Sequence, residues 1–190
     1  MGWKIGGNYV IIKRMKVIDT LLNGLKIIEP DKFEDNRGYF LKSFEKKAFS
    51  EQGIDFDITQ VNHSFNLIKG TLRGMHFQVE PFAQDKLVFC QKGKAFDVAI
   101  DLRKDSTTYG KWYGLELSEE NKQILYVPKG FAHGYQTLED NVEVIYFLQG
   151  EYSKEHEAGC KWDDPAFEIN WPLEPTVIAD KDSQWPPFEK

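Results

Sequence analysis

Short segments of β-branched and aromatic residues, interrupted by turn residues, run through most of this 190-residue chain. Typical examples are KLVFCQ (86–91), KAFDVAID (94–101) and VEVIYFLQ (142–149), and Gly, Pro, Asn or Asp separates successive segments. Segments of this length and composition predict β-strands, and their close spacing favours an antiparallel sandwich or barrel. The glycine of QKGK, between the first two of these segments, predicts a hairpin turn at Gly93.

Little of the chain predicts helix. Residues 46–53 carry one or two helical turns that a glycine ends. From about Trp162 the sequence becomes rich in Pro, Trp and Asp, which predicts an extended C-terminal arm packed over the sheet, with a mobile tail as the alternative. We therefore expect one domain over residues 15–190 that includes this arm. Residues 1–14 precede Met15 and are predicted to be an N-terminal extension.

The net charge of −6 limits the expected partners. An acidic chain lacks the broad basic surface that nucleic acids or anionic membranes attract, so neither is expected to bind. The short apolar run 9–12 is far below the length of a signal peptide or a membrane span. Only two cysteines occur, Cys90 and Cys160, and they fit a reducing compartment better than a disulfide framework. We expect two free thiols and a cytoplasmic location.

The segment GTLRGMHFQ (70–78) places His76 in a predicted strand. Such a histidine can bind a metal, transfer a proton, or simply be buried with a backbone partner. The spacings G-x5-H-x-Q (70–78) and P-x-G-x2-H (128–133) resemble two motifs of the cupin superfamily of jelly-roll barrels. Metal-binding cupins carry a second histidine where this chain has Gln78, and a transition metal needs three or four directed ligands. Because only His76 and His133 remain, no metal site is expected.

Seven segments together resemble, in order and spacing, the nucleotide-sugar 3,5-epimerases typified by dTDP-4-dehydrorhamnose 3,5-epimerase. They are DNRGYF (35–40), QVNHS (60–64), GTLRGMHFQ (70–78), the stretch from QDKLV to YGKW (84–112), VPKGFAHGYQTLED (127–140), IYFLQGEYS (145–153) and IADKD (178–182). The resemblance implies an all-β, antiparallel jelly-roll (cupin-type) barrel with short peripheral helices. It further implies a homodimer without a metal or redox cofactor, acting on a dTDP-linked 4-keto-6-deoxy sugar.

The residue types can support epimerisation beside a ketone. Removing a hydrogen next to a ketone requires a placed base and stabilisation of the resulting enolate. An imidazole, with a reference pKa near ~6.5, suits the base, and the resemblance assigns this role to His76 with Asp182 as its orienting partner. It assigns Tyr146 as the acid on the opposite face and Lys86 as the cation beside the oxyanion. Taken alone, Tyr146 would be a core residue, and Lys86 and Asp182 ordinary surface charges.

The resemblance also implies a set of substrate-binding residues. They are two arginines for the pyrophosphate, three polar contacts to the nucleotide, two aromatic surfaces for its base and one histidine lining the pocket: Arg37 and Arg73; Gln60, Asn62 and Glu157; Phe40 and Tyr152; and His133. In the family, the arm with the RGYF motif reaches into the neighbouring subunit. Arg37 and Phe40 are therefore expected to complete the partner's site in a homodimer with exchanged N-terminal arms. The alternative for Arg37 and His133 is a role in a turn, and the alternative for Phe40 and Tyr152 is packing.

Four positions depart from the family pattern, namely Lys42, Phe89, Phe147 and Ala179. None of them removes a residue proposed for proton transfer, but they leave open which nucleotide and sugar are bound. The leading hypothesis is a 3,5-epimerase of a dTDP-4-keto-6-deoxyhexose in rhamnose-type deoxysugar biosynthesis. An enzyme that inverts only C3 or only C5, or that uses a differently linked sugar, is the nearest alternative. A metal-dependent cupin and a non-catalytic sugar-binding cupin are alternatives from other functional classes.

Overall fold

The computed structural model describes the backbone of residues 2–5, 8–13 and 15–188, and the side chains of residues 15–188. This part of the chain is mostly strand. The strands are β1 (Gly2–Ile5), β2 (Asn8–Lys13), β3 (Lys16–Asp19), β4 (Lys26–Glu29), β5 (Asp31–Asp35), β6 (Gly38–Lys42), β7 (Gln60–Asn66), β8 (Thr71–Gln78), β9 (Asp85–Lys92), β10 (Lys94–Asp101), β11 (Trp112–Ser118), β12 (Ile124–Val127), β13 (Phe131–Thr137), β14 (Val142–Gln149), β15 (Glu157–Gly159) and β16 (Val177–Ile178). The helices are α1 (Lys46–Glu51), a 3-10 turn (Lys154–His156) and α2 (Asp180–Ser183).

Two six-stranded sheets form the barrel. Sheet I has the order β11-β10-β13-β8-β15, with β16 also pairing with β8, and sheet II has the order β3-β4-β12-β9-β14-β7. A third sheet, which we call the arm sheet, has the order β1-β2-β5-β6. All pairings are antiparallel except that of β16 with β8. The predicted all-β jelly-roll architecture with short peripheral helices is therefore confirmed.

The turn at Gly93 differs from its prediction. Gly93 has φ +73°, as a glycine turn requires, and it joins β9 directly to β10. The two strands do not pair with each other, because β9 lies in sheet II and β10 in sheet I. The predicted hairpin is therefore wrong. The chain crosses from one sheet to the other at this glycine, a tertiary choice that local turn chemistry does not determine.

Strand alternation separates the barrel interior from its outer surface. On β9, Val88 and Cys90 belong to the apolar cluster between the sheets, whereas Leu87 and Phe89 belong to a cluster on the outer face of sheet II. Because successive side chains of a strand point to opposite faces, Lys86 shares the inward orientation of Val88. The interior is thus apolar along most of its length and carries a charged residue near one end.

Both outer faces of the barrel are covered. Phe49 of α1 packs with Ile54 and Phe56 against the outer side of sheet II, as the predicted short helix allows. Phe167 and Trp171 of the C-terminal arm pack against the outer side of sheet I. The arm is extended and lies over the sheet, as predicted. Covering both faces leaves the barrel interior as the natural place for a buried polar site.

The two ends of the chain meet the barrel differently. The C-terminal arm adds β16 beside β8 and then forms α2, which brings Asp182 to β8. Near the N-terminus, β1 and β2 form a hairpin, and β2 pairs with β5. Residues 1, 6, 7 and 14 of the predicted extension lie outside the described residues. Neither helix in the described ranges combines the length and hydropathy that crossing a bilayer requires.

Candidate active site

Two adjoining cavities, of about 240 Å³ and about 130 Å³, lie between the two sheets of the barrel. Three residues line both of them: His76, Lys86 and Tyr146. His76 belongs to β8 of sheet I, whereas Lys86 and Tyr146 belong to β9 and β14 of sheet II. The predicted base and the predicted acid therefore come from opposing sheets and face one shared space.

His76 is paired with a carboxylate from the C-terminal arm. Its Nε2 donates to Oδ1 of Asp182 at 2.6 Å, and Oδ2 of Asp182 accepts the amide of Gly74 at 3.1 Å. Because an ionised carboxylate only accepts hydrogen bonds, Nε2 carries the proton and Nδ1 is left as the basic nitrogen. Burial acts to raise the pKa of Asp182, but the hydrogen bond and charge of His76 outweigh it and hold that pKa below its usual range. The predicted orienting role of Asp182 is thus geometrically possible.

A bulge in β8 puts two site residues on the same face. Arg73 and His76 are three positions apart, so regular alternation would point them to opposite faces. In the ladder with β13, however, His76 pairs with His133 and Arg73 pairs with Tyr135, so three steps on β8 match two steps on β13. The extra residue turns both Arg73 and His76 toward the smaller cavity.

Two glycines make this bulge possible. Gly74 has φ +118°, and a Cβ there would come within 2.6 Å of Cα of Gly134 on the neighbouring strand. A Cβ on Gly134 would in turn come within 2.6 Å of the carbonyl oxygen of Arg73. The RGMH and HGY sequences therefore supply the bare backbone that lets β8 and β13 approach at the site.

Lys86 brings a cation into the barrel. Its side chain is half-buried, and Nζ lies 3.4 Å from the carbonyl oxygen of His76, to which it can donate. Burial of the ammonium group lowers the pKa of Lys86 to about 8, although the nearby charges of Asp97 and Glu157 oppose that shift. At neutral pH the ammonium group of Lys86 is therefore still mostly charged, and it loses its proton as the pH rises through about 8.

Tyr146 lies beside a row of polar residues on the edge strand β7. In the ladder between the two strands, Tyr146 pairs with Asn62. Gln60, Asn62 and Ser64 share one face of β7 and line the cavities, whereas Val61 and Phe65 on the other face are exposed. Tyr146 thus packs against the apolar cluster between the sheets and also lines both cavities, beside these polar residues.

A second histidine–carboxylate pair lies deeper in the barrel. Nε2 of His133 donates to Oδ1 of Asp97 at 2.8 Å, and both residues are buried. Burial lowers the pKa of His133, while the charge of Asp97 opposes that shift and the charges of Lys86 and His76 add to it. His133 is therefore neutral at neutral pH. It lines the smaller cavity, as predicted.

Comparisons with known proteins agree with this geometry. The family model described as dTDP-4-dehydrorhamnose 3,5-epimerase matches residues 19–190. The chain belongs to this family. A dTDP-4-dehydrorhamnose 3,5-epimerase of Sinorhizobium fredii is 51% identical over 163 residues, which is 85% of this chain and 84% of that relative. The family predicted from the sequence motifs is thus confirmed.

Solved structures of the same epimerase family resemble the fold closely. A dTDP-4-dehydrorhamnose 3,5-epimerase of Bacillus anthracis, with TDP and PPi bound, gives a TM-score of 0.90 at 42% identity, over 92% of this chain and 100% of that one. A dTDP-6-deoxy-D-glucose-3,5-epimerase of Legionella pneumophila, in complex with dTDP-4-keto-L-rhamnose, gives a TM-score of 0.84 at 42% identity, over 89% and 90%.

Four of the predicted nucleotide contacts of this family member line the larger cavity: Gln60, Asn62, Tyr152 and Glu157. Nε2 of Gln60 donates to Oδ1 of Asn62 at 2.8 Å, and the hydroxyl of Tyr152 donates to Oε2 of Glu157 at 3.2 Å. Glu157 also forms an ion pair with Lys181 of α2. The structure therefore brings these four together with His76, at the open side of the cavity.

Arg73 lines the smaller cavity and is held there by a buried amide. Its Nε donates to Oδ1 of Asn66 at 2.7 Å, and Nδ2 of Asn66 lies 3.3 Å from the hydroxyl of Tyr135. The hydroxyl of Tyr135 donates in turn to Oγ of Ser64 at 2.7 Å. This chain of hydrogen bonds fixes the direction of the guanidinium group and leaves its remaining donors for an anion.

Arg37 and Phe40 do not reach these cavities. They lie on the arm sheet and line a separate depression of about 360 Å³, together with Tyr39. Nη2 of Arg37 forms an ion pair with Oδ2 of Asp35 at 2.6 Å, and Phe40 is 64% exposed. Within one subunit, the described residues therefore do not unite these two predicted contacts with the rest of the site.

Two of the departures from the family pattern face away from the site. Phe89 and Phe147 pack against each other, with ring centroids 5.6 Å apart, in the cluster on the outer face of sheet II. Successive side chains of a strand point to opposite faces. Phe147 follows Tyr146, which lines the cavities, and therefore points away from them. Phe89 and Phe147 therefore do not line either of the two cavities. Lys42 lies on the arm sheet, where Nζ donates to Oε2 of Glu45 at 2.7 Å.

Sequence reasoning missed several residues that hold the site together. Gln78 is buried, donates to the carbonyl oxygens of Phe82 and Glu151, and accepts the amide of Ser153 at 2.7 Å. It thereby holds the loop that carries Tyr152 and Glu157, two of the predicted nucleotide contacts. Asp97 was also missed, although a charged residue inside the apolar strand segment KAFDVAID was a readable signal.

The described residues contain no group of three or more His, Cys, Asp or Glu side chains close enough to hold a metal ion. At the position where metal-binding cupins carry a further histidine, the amide of Gln78 is instead engaged by loop backbone.

Proposed function

We propose that this chain is a cofactor-independent epimerase that inverts C3 and C5 of a dTDP-4-keto-6-deoxyhexose, as a step of rhamnose-type deoxysugar biosynthesis. The observation that carries the proposal is the opposition of two proton-transfer groups across one cavity. His76, with its carboxylate partner, comes from sheet I, and Tyr146 comes from sheet II beside the cation of Lys86. Inversion needs a base and an acid on opposite faces of one carbon.

The proposed reaction proceeds in two proton transfers at each carbon. Nδ1 of His76 takes the proton from the carbon beside the ketone, and the electron pair of that C–H bond moves onto the ketone oxygen to form an enolate. The ammonium group of Lys86 stabilises the negative charge on that oxygen. Tyr146 then returns a proton to the same carbon from the opposite face. Both groups recover their original protonation by exchange with water, so no redox partner is consumed.

The proposed substrate contacts follow the lining of the cavities. Arg73 is proposed to bind the pyrophosphate, and the side chains of Gln60, Asn62 and Glu157 the nucleotide. Tyr152 is half exposed at the mouth of the larger cavity, which suits stacking on the base. His133 is proposed to line the sugar pocket as a neutral donor or acceptor. Together with two residues of the arm, the proposed substrate contacts are Arg37, Phe40, Gln60, Asn62, Arg73, His133, Tyr152 and Glu157.

We further propose a homodimer in which the N-terminal arms are exchanged. Strand β7 is an edge strand of sheet II, and its residues Gln60 and Asn62 line the larger cavity. An arm from a second subunit that adds to this edge would carry Arg37 and Phe40 to the cavity. The exposed side chains of Phe65 on β7 and Phe40 on the arm support such a contact. The site of one subunit would then be complete only in the dimer.

The remaining proposals concern the chain as a whole. We propose that residues 15–190 form one domain with its C-terminal arm from about residue 162, and that residues 1–14 are an extension. The start of the family match at residue 19 supports that division. The two buried free thiols, Cys90 and Cys160, are consistent with a reducing compartment, and we propose the cytoplasm.

Incubation of the protein with dTDP-4-keto-6-deoxyglucose in heavy water tests the proposed reaction. A 3,5-epimerase exchanges both carbon-bound hydrogens with solvent, so mass spectrometry and NMR should show deuterium at C3 and at C5. Deuterium at one carbon alone would replace the proposal by a monoepimerase. No incorporation, with dTDP still bound, would support a non-catalytic sugar-binding protein, and exchange that chelators abolish would support a metal-dependent cupin.

A further inference from the structure

Trp185 makes a contact with the imidazole that the motif pattern does not include. It follows Asp182 by three residues, beyond the IADKD segment. Its indole lies beside the ring of His76 with centroids 6.1 Å apart and an interplanar angle of 73°, an edge-to-face arrangement. The C-terminal arm thus contacts His76 twice, once through a hydrogen bond and once through an aromatic ring.

The indole occupies a slot that a glycine leaves open. Gly159 on β15 pairs directly with His76 on β8. A Cβ at Gly159 would come within 2.4 Å of Cδ2 and Cε2 of Trp185, and within 2.6 Å of the carbonyl oxygen of Met75. Because Gly159 does not have a left-handed φ, this glycine is required for space and not for backbone conformation. The bare backbone lets Trp185 lie flat beside the strand residue opposite His76.

A lysine also lies over the indole. Nζ of Lys181 lies 5.6 Å from the ring centroid of Trp185, and the same ammonium group pairs with Glu157. Glu157 accepts the hydroxyl of Tyr152 in turn. Trp185 is therefore part of a connected set of contacts that runs from His76 to the open side of the larger cavity.

Two restraints do more for an imidazole than one. The hydrogen bond from Nε2 to Asp182 fixes the direction of that nitrogen, but the ring can still rotate about the line of the bond. A ring packed edge-to-face against the imidazole limits this rotation and so fixes where Nδ1 points. Proton transfer from carbon is sensitive to that direction, because the base must lie along the C–H bond.

We propose that Trp185 is a positioning residue for His76, seated in the slot at Gly159, and that it sets the plane of the imidazole for proton abstraction. This inference rests on the proposed role of His76 as the base. If Trp185 has this role, loss of its aromatic ring lowers kcat and leaves the affinity for the nucleotide the same.

The test compares Trp185→Leu with Trp171→Leu. Both replace an indole of the C-terminal arm by the same smaller aliphatic side chain, but Trp171 packs on Phe96 on the outer side of sheet I. Nε1 of Trp185 is buried without a hydrogen-bond partner in the described ranges, whereas Nε1 of Trp171 donates to the carbonyl oxygen of Trp162. Trp171→Leu loses a hydrogen bond and is therefore the more destabilising control.

We expect Trp185→Leu to lower kcat by about tenfold or more, with KM and the Kd for dTDP changed by less than about twofold. Trp185→Phe retains an aromatic edge and should restore most of kcat. Trp171→Leu should lower Tm and leave kcat near the wild-type value. If kcat follows Tm in both leucine variants, or if Trp185→Leu leaves kcat unchanged in an active enzyme, the inference is overturned.

NMR of the imidazole supplies a readout that needs no catalysis. The ring current of Trp185 should shift the carbon-bound imidazole protons of His76, whose signals His76→Asn identifies by their loss. The shift should disappear in Trp185→Leu and persist in Trp171→Leu. A wild-type protein without epimerase activity but with this shift would refute the proposed function and retain the contact. An active protein without the shift would refute the positioning role alone.

Discussion

The barrel contains two histidine–carboxylate pairs with nearly the same bond and different surroundings. In each, Nε2 of the histidine donates to a carboxylate oxygen, at 2.6 Å between His76 and Asp182 and at 2.8 Å between His133 and Asp97. The side chain of His76 is 32% exposed, whereas that of His133 is 8% exposed. Both line the smaller cavity, but only His76 also lines the larger one.

The carboxylates differ as well. Asp182 comes from the C-terminal arm and also accepts the amide of Gly74, so each of its oxygens has a partner. Asp97 lies within β10, and its Oδ2 is buried without a hydrogen-bond partner among the described residues. Its negative charge is instead balanced from a distance by Lys86, whose pKa it raises against the effect of burial.

This difference shows how one chemical pair can serve two purposes. An accessible imidazole with a fully bonded carboxylate can take up a proton and remain stabilised as a cation. A buried imidazole is kept neutral by desolvation, so it cannot easily accept one. We infer that the first pair supplies the base and that the second pair shapes the electrostatics around Lys86.

The largest effect should come from removing each histidine in turn. His76→Asn should lower the rate of carbon–hydrogen exchange by about 10³-fold, because general base catalysis contributes about 10²- to 10⁴-fold. His133→Asn should lower it by at most about tenfold, since a neutral buried imidazole takes no part in the transfer itself. Deuterium incorporation from heavy water, followed by NMR, measures both rates.

Affinity for dTDP serves as the control for this pair of variants. Calorimetry should give similar Kd values for both, because neither histidine is proposed to contact the nucleotide. Equal losses of hydrogen exchange in the two variants would contradict the proposed difference between the pairs. A greater loss in His133→Asn would reverse their proposed roles.

A smaller difference should separate the two carboxylates. Asp182→Asn can place its amide group toward Nε2 and favour the wrong tautomer of His76, so kcat should fall by about 10²-fold at neutral pH. Asp97→Asn leaves His133 neutral, as burial already makes it, and kcat should fall by less than about tenfold at the same pH. Steady-state kinetics at pH 7 compares the two substitutions, and similar losses would contradict the division of roles.

The strands that the sequence predicts are those with the usual apolar pattern of a core strand. Strands β9, β10 and β14 are rich in β-branched and aromatic residues, and they are present as predicted. Strand β7, QVNHSFN, lines the cavity with its polar face and exposes Val61 and Phe65, so its pattern is the reverse of a core strand. Because the cavity requires polar residues on this strand, the sequence pattern of β7 does not identify it as a strand of the barrel.

The site residues show the same division. His76 and Arg73 were found through motifs, but their shared orientation depends on a bulge between Gly74 and Gly134 that spacing alone does not predict. Asp182 lies 106 positions from His76 in the sequence, and only the path of the C-terminal arm brings it to the imidazole. Contacts of such separation are set by tertiary structure.

The pH dependence of the reaction should give the finest distinction between the pairs. Lys86 must be charged to stabilise the enolate, and burial lowers its pKa to about 8, so kcat should decline as the pH rises through about 8. The charge of Asp97 raises the pKa of Lys86. Asp97→Asn should therefore move this decline to lower pH, whereas Asp182→Asn should leave its position unchanged. Profiles of kcat from about pH 6 to about pH 10 measure the shift. This range extends approximately from the reference pKa of histidine to that of lysine.

Lys86→Arg is the control that assigns the decline to this residue. A guanidinium keeps its charge throughout the range, because its pKa lies far above that of an ammonium group, so the residual activity of this variant should not fall near pH 8. If the decline persists in Lys86→Arg, it belongs to another group. If it disappears there but stays in place in Asp97→Asn, then Lys86 is the cation and the buried pair does not tune it. In that case Asp97 would serve only as the hydrogen-bond partner of the buried His133. The two pairs would then differ only in how accessible their histidines are to a substrate.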